Sequence, residues 1–454
     1  MLIGRVESAY YTFRQWVPAR VLYHPAYFYV LSLLEKCGKK SDLLEQAVAM
    51  RLRFILSEAV TQVPFYRESI KLTVEEIKRS EKPVELLQLF PFLEKEMVMD
   101  QQDRFLSDRY RKKHIYYVTS GGSSGQGIGL WRNRRVADIE KAFFAWERER
   151  FGFSLERSRY LRIGADARRK AGESPVWKFG NQLMLSPYHV NEQWRKEILL
   201  RLNEYKPEFI NAYPSSLFEL AQLIESDRLH FRPRAIFLAS EPVLDYQLAK
   251  ILDIFGAPIS FHYGLTERTN LAFAEYRKGV KYSYRMNPLY GYAENRSIDG
   301  KFEIVGTSLW NDVMPLIRYC TADFGLIGKN GELEEIDGRA QEFLLDKSGN
   351  RIPGLSIIID EPTWDFVKYY QVTQSKVGVI KILLVPKRGP LSEEQRKYVL
   401  TGQQKRWGEF FDIAVQEIDN IPLTPGGKRR LVVSDLKSGD SSQNQTRCHP
   451  SAFA

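Results

Sequence analysis

Thr119-Ser120-Gly121-Gly122-Ser123-Ser124-Gly125 is the stretch of this 454-residue chain whose residue types most directly suggest chemistry. It follows His114-Ile-Tyr-Tyr-Val118, a β-branched and aromatic run that reads as a strand entering a loop. Glycines permit positive φ, so successive backbone N–H groups there can curl around an anion. The hydroxyls of Thr119, Ser120, Ser123 and Ser124 add donors, which suits a polyphosphate. By composition alone the run also reads as a plain flexible loop. Gly38-Lys39, Gly328-Lys329 and Gly427-Lys428 lack the rest of a Gly-x4-Gly-Lys-Ser/Thr phosphate loop, and Gly125-x-Gly127 lacks the third glycine of a dinucleotide fingerprint. Gly121-Gly122-Ser123-Ser124-Gly125 does match Gly-x-Ser-x-Gly, the nucleophile elbow of α/β-hydrolases, which would make Ser123 an attacking group. An elbow is followed at once by a helix, whereas Gly127-Ile-Gly-Leu-Trp131 reads as a second strand and gives a hairpin-like loop.

The elements that must position such a loop are legible in outline. Residues 1–110 read mostly as helix; Leu43, Leu44, Ala47, Met50, Leu52 and Ile55 roughly follow the helical period, and the helix ends near Pro64. Arg135–Phe151 reads as a long amphipathic helix. Strands at Phe209–Ala212, Ala235–Ala239 and Ile259–Tyr263 then alternate with helices around Ser216–Ser226 and Leu244–Phe255. That alternation predicts an α/β fold, a large N-terminal domain of layered, mainly parallel sheets. Strands are expected over Lys301–Ile317, a junction at Gly338-Arg339, and then a small α+β C-terminal domain with a strand at Val377–Val385, a helix at Ser392–Trp407 and a strand at Phe411–Ile418. The expected division is 1–110, helical part of the large domain; 111–337, its ATP- and acyl-binding core; 338–437, a mobile C-terminal domain; and 438–454, a disordered tail.

With 44% hydrophobic and 13% aromatic residues the chain can build real cores. Lys and Arg number 66 against 56 Asp and Glu, a net charge of +10 that favours anionic partners such as nucleotides, CoA, nucleic acid or an anionic membrane face. The basic residues come in short clusters, Arg109–His114, Arg132–Arg135, Arg168–Lys170 and Lys428–Arg430, without the long stripe and module of a nucleic-acid binder, so no nucleic-acid partner is expected. Cys37, Cys320 and Cys448 form neither a metal spacing nor a disulfide framework, which fits a reducing cytosol and a cytoplasmic location. In that compartment Asn295-Arg-Ser297 and Asn444-Gln-Thr446 match a glycosylation pattern by chance. No signal pattern opens the chain, and Val21–Leu34, broken by His24, Pro25 and Ser32, is too short to span a bilayer. Its Tyr23, Tyr27, Phe28 and Tyr29 suit a core helix, or a helix making peripheral membrane contact.

Further stretches follow in order: Pro64-Phe-Tyr-Arg67, Asn211-Ala-Tyr-Pro-Ser-Ser216, Ser240-Glu-Pro-Val243, Tyr263-Gly-Leu-Thr-Glu267, Arg318-Tyr-Cys-Thr-Ala-Asp323, Asp337-Gly-Arg339 and Thr424-Pro-Gly-Gly-Lys428. Together with Thr119–Gly125 they resemble the motifs of the adenylate-forming, acyl-CoA synthetase-like superfamily. The branch is that of phenylacetate–CoA ligases and CapK-like capsule-biosynthesis proteins, and the match covers about residues 60–435. The resemblance implies ATP-dependent activation of a small carboxylic acid as an acyl-adenylate, with ATP and Mg²⁺ required and CoA the default acceptor. It makes Thr119, Ser120, Gly121, Gly122, Ser123, Ser124 and Gly125 the phosphate grip, and it adds Ser240, Glu241, Pro242 and Gly264 to the nucleotide site. Tyr263 would stack on adenine, Thr266 would donate to the α-phosphate and Glu267 would hold Mg²⁺. Asp323 would accept both ribose hydroxyls, and Arg339 would touch the nucleotide from the hinge. Lys428 would bring charge to the transition state, and Tyr213 and Pro214 would border the acyl pocket.

The chain departs from the pattern at Gly127, where the family has proline, at Glu342, where Asp often follows the hinge arginine, and at Ala322, where it has glycine. Some relatives bind zinc through a cysteine shortly after the Tyr-Gly-x-Thr-Glu stretch; here Glu275-Tyr276 occupies that region, and no zinc is expected. His262 reads as a buried or capping histidine, with metal ligation as the alternative. A catalytically inactive binding module of a polysaccharide pathway remains a third reading beside the ligase and the hydrolase.

Overall fold

Two helices near the N-terminus begin the large unit of the protein, and their limits follow local chemistry. In this computed structural model, which describes residues 12–38, 40–110, 114–119, 128–164, 173–241, 243–298, 300–333, 336, 343–349, 351–353, 366–422, 430 and 432–436, α1 spans Pro25–Cys37 and α2 spans Ser41–Gln62. Proline opens α1 and the His24 ring accepts from the Ala26 N–H, meeting one of the donors that a helix start leaves unpaired. Pro64 ends α2 two residues earlier than itself by holding Val63 in extended backbone. On α1, Tyr27, Val30, Leu34 and Cys37 are buried at helical spacing, and of the aromatic stretch around them only Tyr29 is exposed. That stretch is a core helix. No described helix is long and apolar enough to cross a membrane.

The large unit comprises the described residues up to 321 together with 325–336. Its first strands, β1 (Ile115–Thr119) and β2 (Gly129–Asn133), form an antiparallel hairpin that sets Thr119 opposite Gly129. Asn133 caps α3 (Arg134–Glu149) by accepting from the Val136 N–H. Then come β3 (Tyr160–Ile163), β4 (Val176–Phe179), β5 (Gln182–Leu185), α4 (Arg195–Tyr205), β6 (Phe209–Ala212), α5 (Pro214–Leu223), β7 (Ala235–Ala239), α6 (Asp245–Phe255) and β8 (Ile259–Gly264). β9 (Leu271–Tyr276), β10 (Tyr284–Met286), β11 (Gly291–Ile298), β12 (Lys301–Ser308), β13 (Tyr319–Phe324) and β14 (Glu332–Leu333) complete the strands of this part of the chain.

One nine-stranded sheet has the order β14-β10-β9-β8-β7-β6-β3-β5-β4. The block β5-β3-β6-β7-β8 is parallel, as helical crossovers require, while β4 on one side and β9, β10 and β14 on the other run antiparallel. The parallel character expected from the alternation is thus confined to the centre. A second sheet has the order β11-β12-β13. The strand expected over Lys301–Ile317 stops at Ser308, because Leu309, Trp310, Val313, Met314, Leu316 and Ile317 leave the ladder to fill the helical core.

The small unit includes residues 343–349, 351–353, 366–422 and 430–436 as far as they are described. β15 (Phe343–Leu345) pairs with β16 (Arg351–Pro353), and a four-stranded sheet has the order β19-β18-β17-β20, from β17 (Val367–Lys376), β18 (Val379–Pro386), β19 (Asp412–Glu417) and β20 (Val432–Ser434). The strand expected from Val377 starts at Val379 because Gly378, at φ +73°, turns the chain back from β17. α7 (Glu393–Trp407) carries a Ser392–Gln395 capping box. Leu344, Val372, Ile380, Ile382, Leu384, Val399 and Phe411 form its core.

Candidate functional site

Parallel strands flanked by helices leave a crevice beyond their carboxyl ends, and that is where this fold class places ligands. Register decides which side chains line it. Arg162 of β3 stands opposite Asn211 of β6, Asn211 opposite Phe237 of β7, and Ala239 of β7 opposite His262 of β8. These positions share one face of the sheet, the face that α3 covers with Phe144 and Arg148. Between them lies a cavity of about 710 Å³, whose wall also includes Gly164, Tyr213 and Ser240 at the strand ends and Tyr23 and Tyr27 from the N-terminal segment.

The cavity has an unusual electrostatic interior. Burial, and then the charge of Arg148, pushes His262 down to about 3, so the ring is neutral at physiological pH; it packs edge-on against Phe144 at 4.7 Å. Burial is also the main cause lowering Arg148 to about 10, reinforced by Arg162, and at neutral pH it is still a cation. Of the acids in the wall, Glu140 takes bonds from Arg268 and Tyr290, and Glu156 takes bonds from Arg14, Tyr23 and Ser154.

Beyond β8 the chain turns through Leu265-Thr266-Glu267-Arg268. Glu267 is 8% exposed, and the Tyr319 hydroxyl donates to its Oε1 at 3.0 Å. Arg132 of β2 donates to the Thr266 carbonyl, and Arg268 donates to the Val136 carbonyl at 2.7 Å while pairing with Glu140. The turn is therefore tied to β2 and α3. Burial, with Arg268 nearby, lowers Arg132 to about 10. Arg268 has φ +58°, and Ser240 (+72°), Arg318 (+57°) and Ala322 (+58°) are also left-handed non-glycine residues. Such strain is held only where the surroundings over-determine it, and it tends to gather at functional sites. Ala322 holds a left-handed φ that glycine adopts freely.

At the start of α5 Tyr213 is the N-cap and Pro214 the first helical residue. The Ser215 N–H donates to the Glu241 carboxylate at 3.0 Å, joining the Asn211–Ser216 and Ser240–Val243 stretches through an acid at a helix N-terminus.

Residues 344–435 match the model of the CapK C-terminal domain family. This part of the chain resembles a CapK C-terminal domain. Over 436 residues this chain is 22% identical to Protein CapK of Staphylococcus aureus, covering 91% of this chain and 94% of that protein. Its fold is that of the adenylate-forming acyl-CoA ligases. A crystal structure of 2-hydroxyisobutyryl-CoA ligase in the postadenylation state, in complex with R3-HIB-AMP, matches with a TM-score of 0.62 at 14% identity, over 86% of this chain and 89% of that one. The same ligase in complex with 2-HIB-AMP matches with a TM-score of 0.60, at the same identity and coverage.

The expected site residues are distributed through the chain. Tyr213 and Ser240 meet at the cavity, while Pro214 is buried at the start of α5. Tyr263 is partly buried against Ala272, Met286, Ile304 and Leu333, and Gly264 ends β8 exposed. Thr266 is half-buried and Asp323 is buried on β13. The Thr119 backbone closes the β1–β2 hairpin. Ser120, Gly121, Gly122, Ser123, Ser124, Gly125, Gly127, Pro242, Arg339, Glu342 and Lys428 lie outside the described residues, as do the Gly338-Arg339 junction, Cys448 and the 438–454 tail. A strand, not a helix, follows the loop, which is the wrong continuation for a Gly-x-Ser-x-Gly elbow.

Sequence reasoning missed Arg148, Arg162 and the Arg132 anchor. Arg148 sits in Glu147-Arg148-Glu149-Arg150, which looks like a solvated charged face, whereas Arg162 had a signal as the lone charge in Tyr-Leu-Arg-Ile. The arginines of the cluster Arg132–Arg135 are engaged within the protein, Arg134, though exposed, with the Leu22 carbonyl at 2.6 Å and Arg135 with Asp312 at 2.6 Å. Glu267 fits a hard cation: it is a buried carboxylate whose one hydrogen bond comes from a neutral hydroxyl and which has no ion pair among the described residues. Among those residues no group of three or more His, Cys, Asp or Glu side chains could hold a metal by itself.

Proposed function

We propose that this chain is an acid–thiol ligase that activates a carboxylic acid with ATP as an acyl-adenylate and then passes the acyl group to CoA or another acceptor. A substrate carboxylate oxygen attacks the α-phosphorus, the bond to the bridging oxygen breaks, and pyrophosphate leaves with the electron pair. No protein nucleophile is needed; catalysis is positioning plus neutralisation of charge. The Thr119–Gly125 loop would hold the phosphates, with Thr266 donating to the α-phosphate and Lys428 bringing a positive charge to it. Tyr263, Gly264 and the Ser240–Pro242 turn would seat the nucleoside, Asp323 would take the ribose hydroxyls, and Arg339 would act at the hinge to a mobile domain over 338–437. Mg²⁺ held by Glu267 would supply charge neutralisation at the phosphates. The acyl group would enter the cavity past Tyr213 and Pro214. The likeness to CapK is the ground for proposing a role in capsular-polysaccharide biosynthesis.

The observation that carries this reading is Glu267, a buried carboxylate in the turn beyond β8 whose one hydrogen bond among the described residues comes from the Tyr319 hydroxyl. An ATP–pyrophosphate exchange screen over aryl, fatty, amino and sugar acids tests it. Exchange is expected with at least one acid, and Glu267→Gln should reduce it about 100-fold while leaving the melting temperature in place. Silence across the panel, with no ATP binding by calorimetry, refutes the proposal.

A further inference from the structure

Arg148, on the last turn of α3, lines the cavity with 9% of its surface exposed. Its guanidinium lies over three rings, Phe237 at 4.6 Å, Phe144 at 5.1 Å and Phe153 at 5.6 Å. Among the described residues its side chain makes no hydrogen bond and no ion pair. Aromatic faces attract a cation but accept none of the five N–H donors of a guanidinium. Buried charges are ordinarily paired, and an unpaired one that faces a cavity calls for an anion inside it.

Among the described residues the wall offers no such anion. Glu140 and Glu156 are engaged by the partners already named, and Glu149 is exposed at the rim. Arg162, a second guanidinium, lines the same space and repels Arg148. The polar group nearest in kind, His262, is neutral.

Resting on the adenylation reading, we infer that the acid activated here carries a second anionic group, which Arg148 and Arg162 receive inside the cavity while the reacting carboxylate stays at the strand ends. The ring of Phe237 lies under Arg148, and Ser240 marks the rim; three residue steps along the chain separate them, about 10 Å of path. An extended acid of that reach places one charge at each end. A carboxylate, sulfonate or phosphate would all match the fork of donors.

The test uses the purified full chain and paired acids in ATP–pyrophosphate exchange: hexanoate with adipate, octanoate with suberate, and phenylacetate with its 4-carboxy, 4-sulfo and 4-phosphono derivatives. Calorimetric titration of the same acids without ATP gives a readout independent of turnover. At least one dianionic acid should exceed its monoanionic partner about tenfold in kcat/KM, and the three aryl derivatives identify which anion is preferred. Arg148→Met should remove that preference by raising KM about tenfold for the dianion only, and Arg148→Lys should restore part of it. If Arg148→Met melts early, Arg148→Lys carries the comparison through its partial loss. Dianion binding that is lost in the variants, with exchange silent for every acid, keeps the anion site and refutes adenylation. Equal use of mono- and dianions, unchanged in the variants, or no dianion binding at all, overturns the inference.

Discussion

The Tyr319 hydroxyl reaches Glu267 at 3.0 Å and is the one donor to that carboxylate among the described residues. Outer partners of this kind orient a metal-binding oxygen, and their loss typically costs 10–100-fold in metal affinity. Tyr319→Phe is therefore expected to raise the magnesium concentration needed for half-maximal exchange about tenfold, read by titrating the metal. An unchanged requirement would make the hydroxyl purely structural. Tyr319 was visible in the Arg318–Asp323 stretch, but its bond to Glu267 was not, since the two residues are 52 positions apart and meet only through the packing of β13 near the turn after β8.

At the scale of elements, the turn Thr266–Asn270 is held by what packs behind it. The β11–β12 hairpin approaches so closely that a Cβ at Gly291 would lie 1.8 Å from the Thr269 carbonyl oxygen, and one at Gly306 would lie 2.4 Å from Asn270 Oδ1. Backbone cannot yield as a flexible side chain does, so Gly291→Ala forces the hairpin off the turn. The expected loss is about 3 kcal/mol, at or beyond the upper end of ordinary overpacking, measured by denaturant unfolding. Exchange activity should fall in the same variant, because the turn carries Glu267. No sequence motif announced these glycines. The strand pattern of β12 was legible and that of β11 was not read, and which face would meet another backbone depends on how the second sheet packs.

Across the whole molecule, His262 links the cavity to stability. Its folded value, about 3, lies below the ordinary 6.5, so between those pH values the unfolded chain binds a proton that the folded chain refuses. Stability contributed by the neutral ring is complete above about 6.5 and falls as pH drops through that window. The wild-type melting temperature should decline more steeply from pH 7 to pH 5 than that of His262→Gln, and parallel declines would show that the ring titrates normally. The ordered motifs, the alternation of strands and helices over Phe209–Tyr263, and the small C-terminal unit were all determined by sequence, because local periodicity and short turn residues encode them without reference to distant parts of the chain. Only the tertiary structure decided that the sheet is parallel in its centre alone, that Arg132 and Arg135 turn inward, and that Arg148 lies over three phenylalanine rings with no ion pair among the described residues. A charged residue on an amphipathic helix looks solvated from its neighbours in sequence; whether it is depends on what the sheet beneath and the helix above leave open to water.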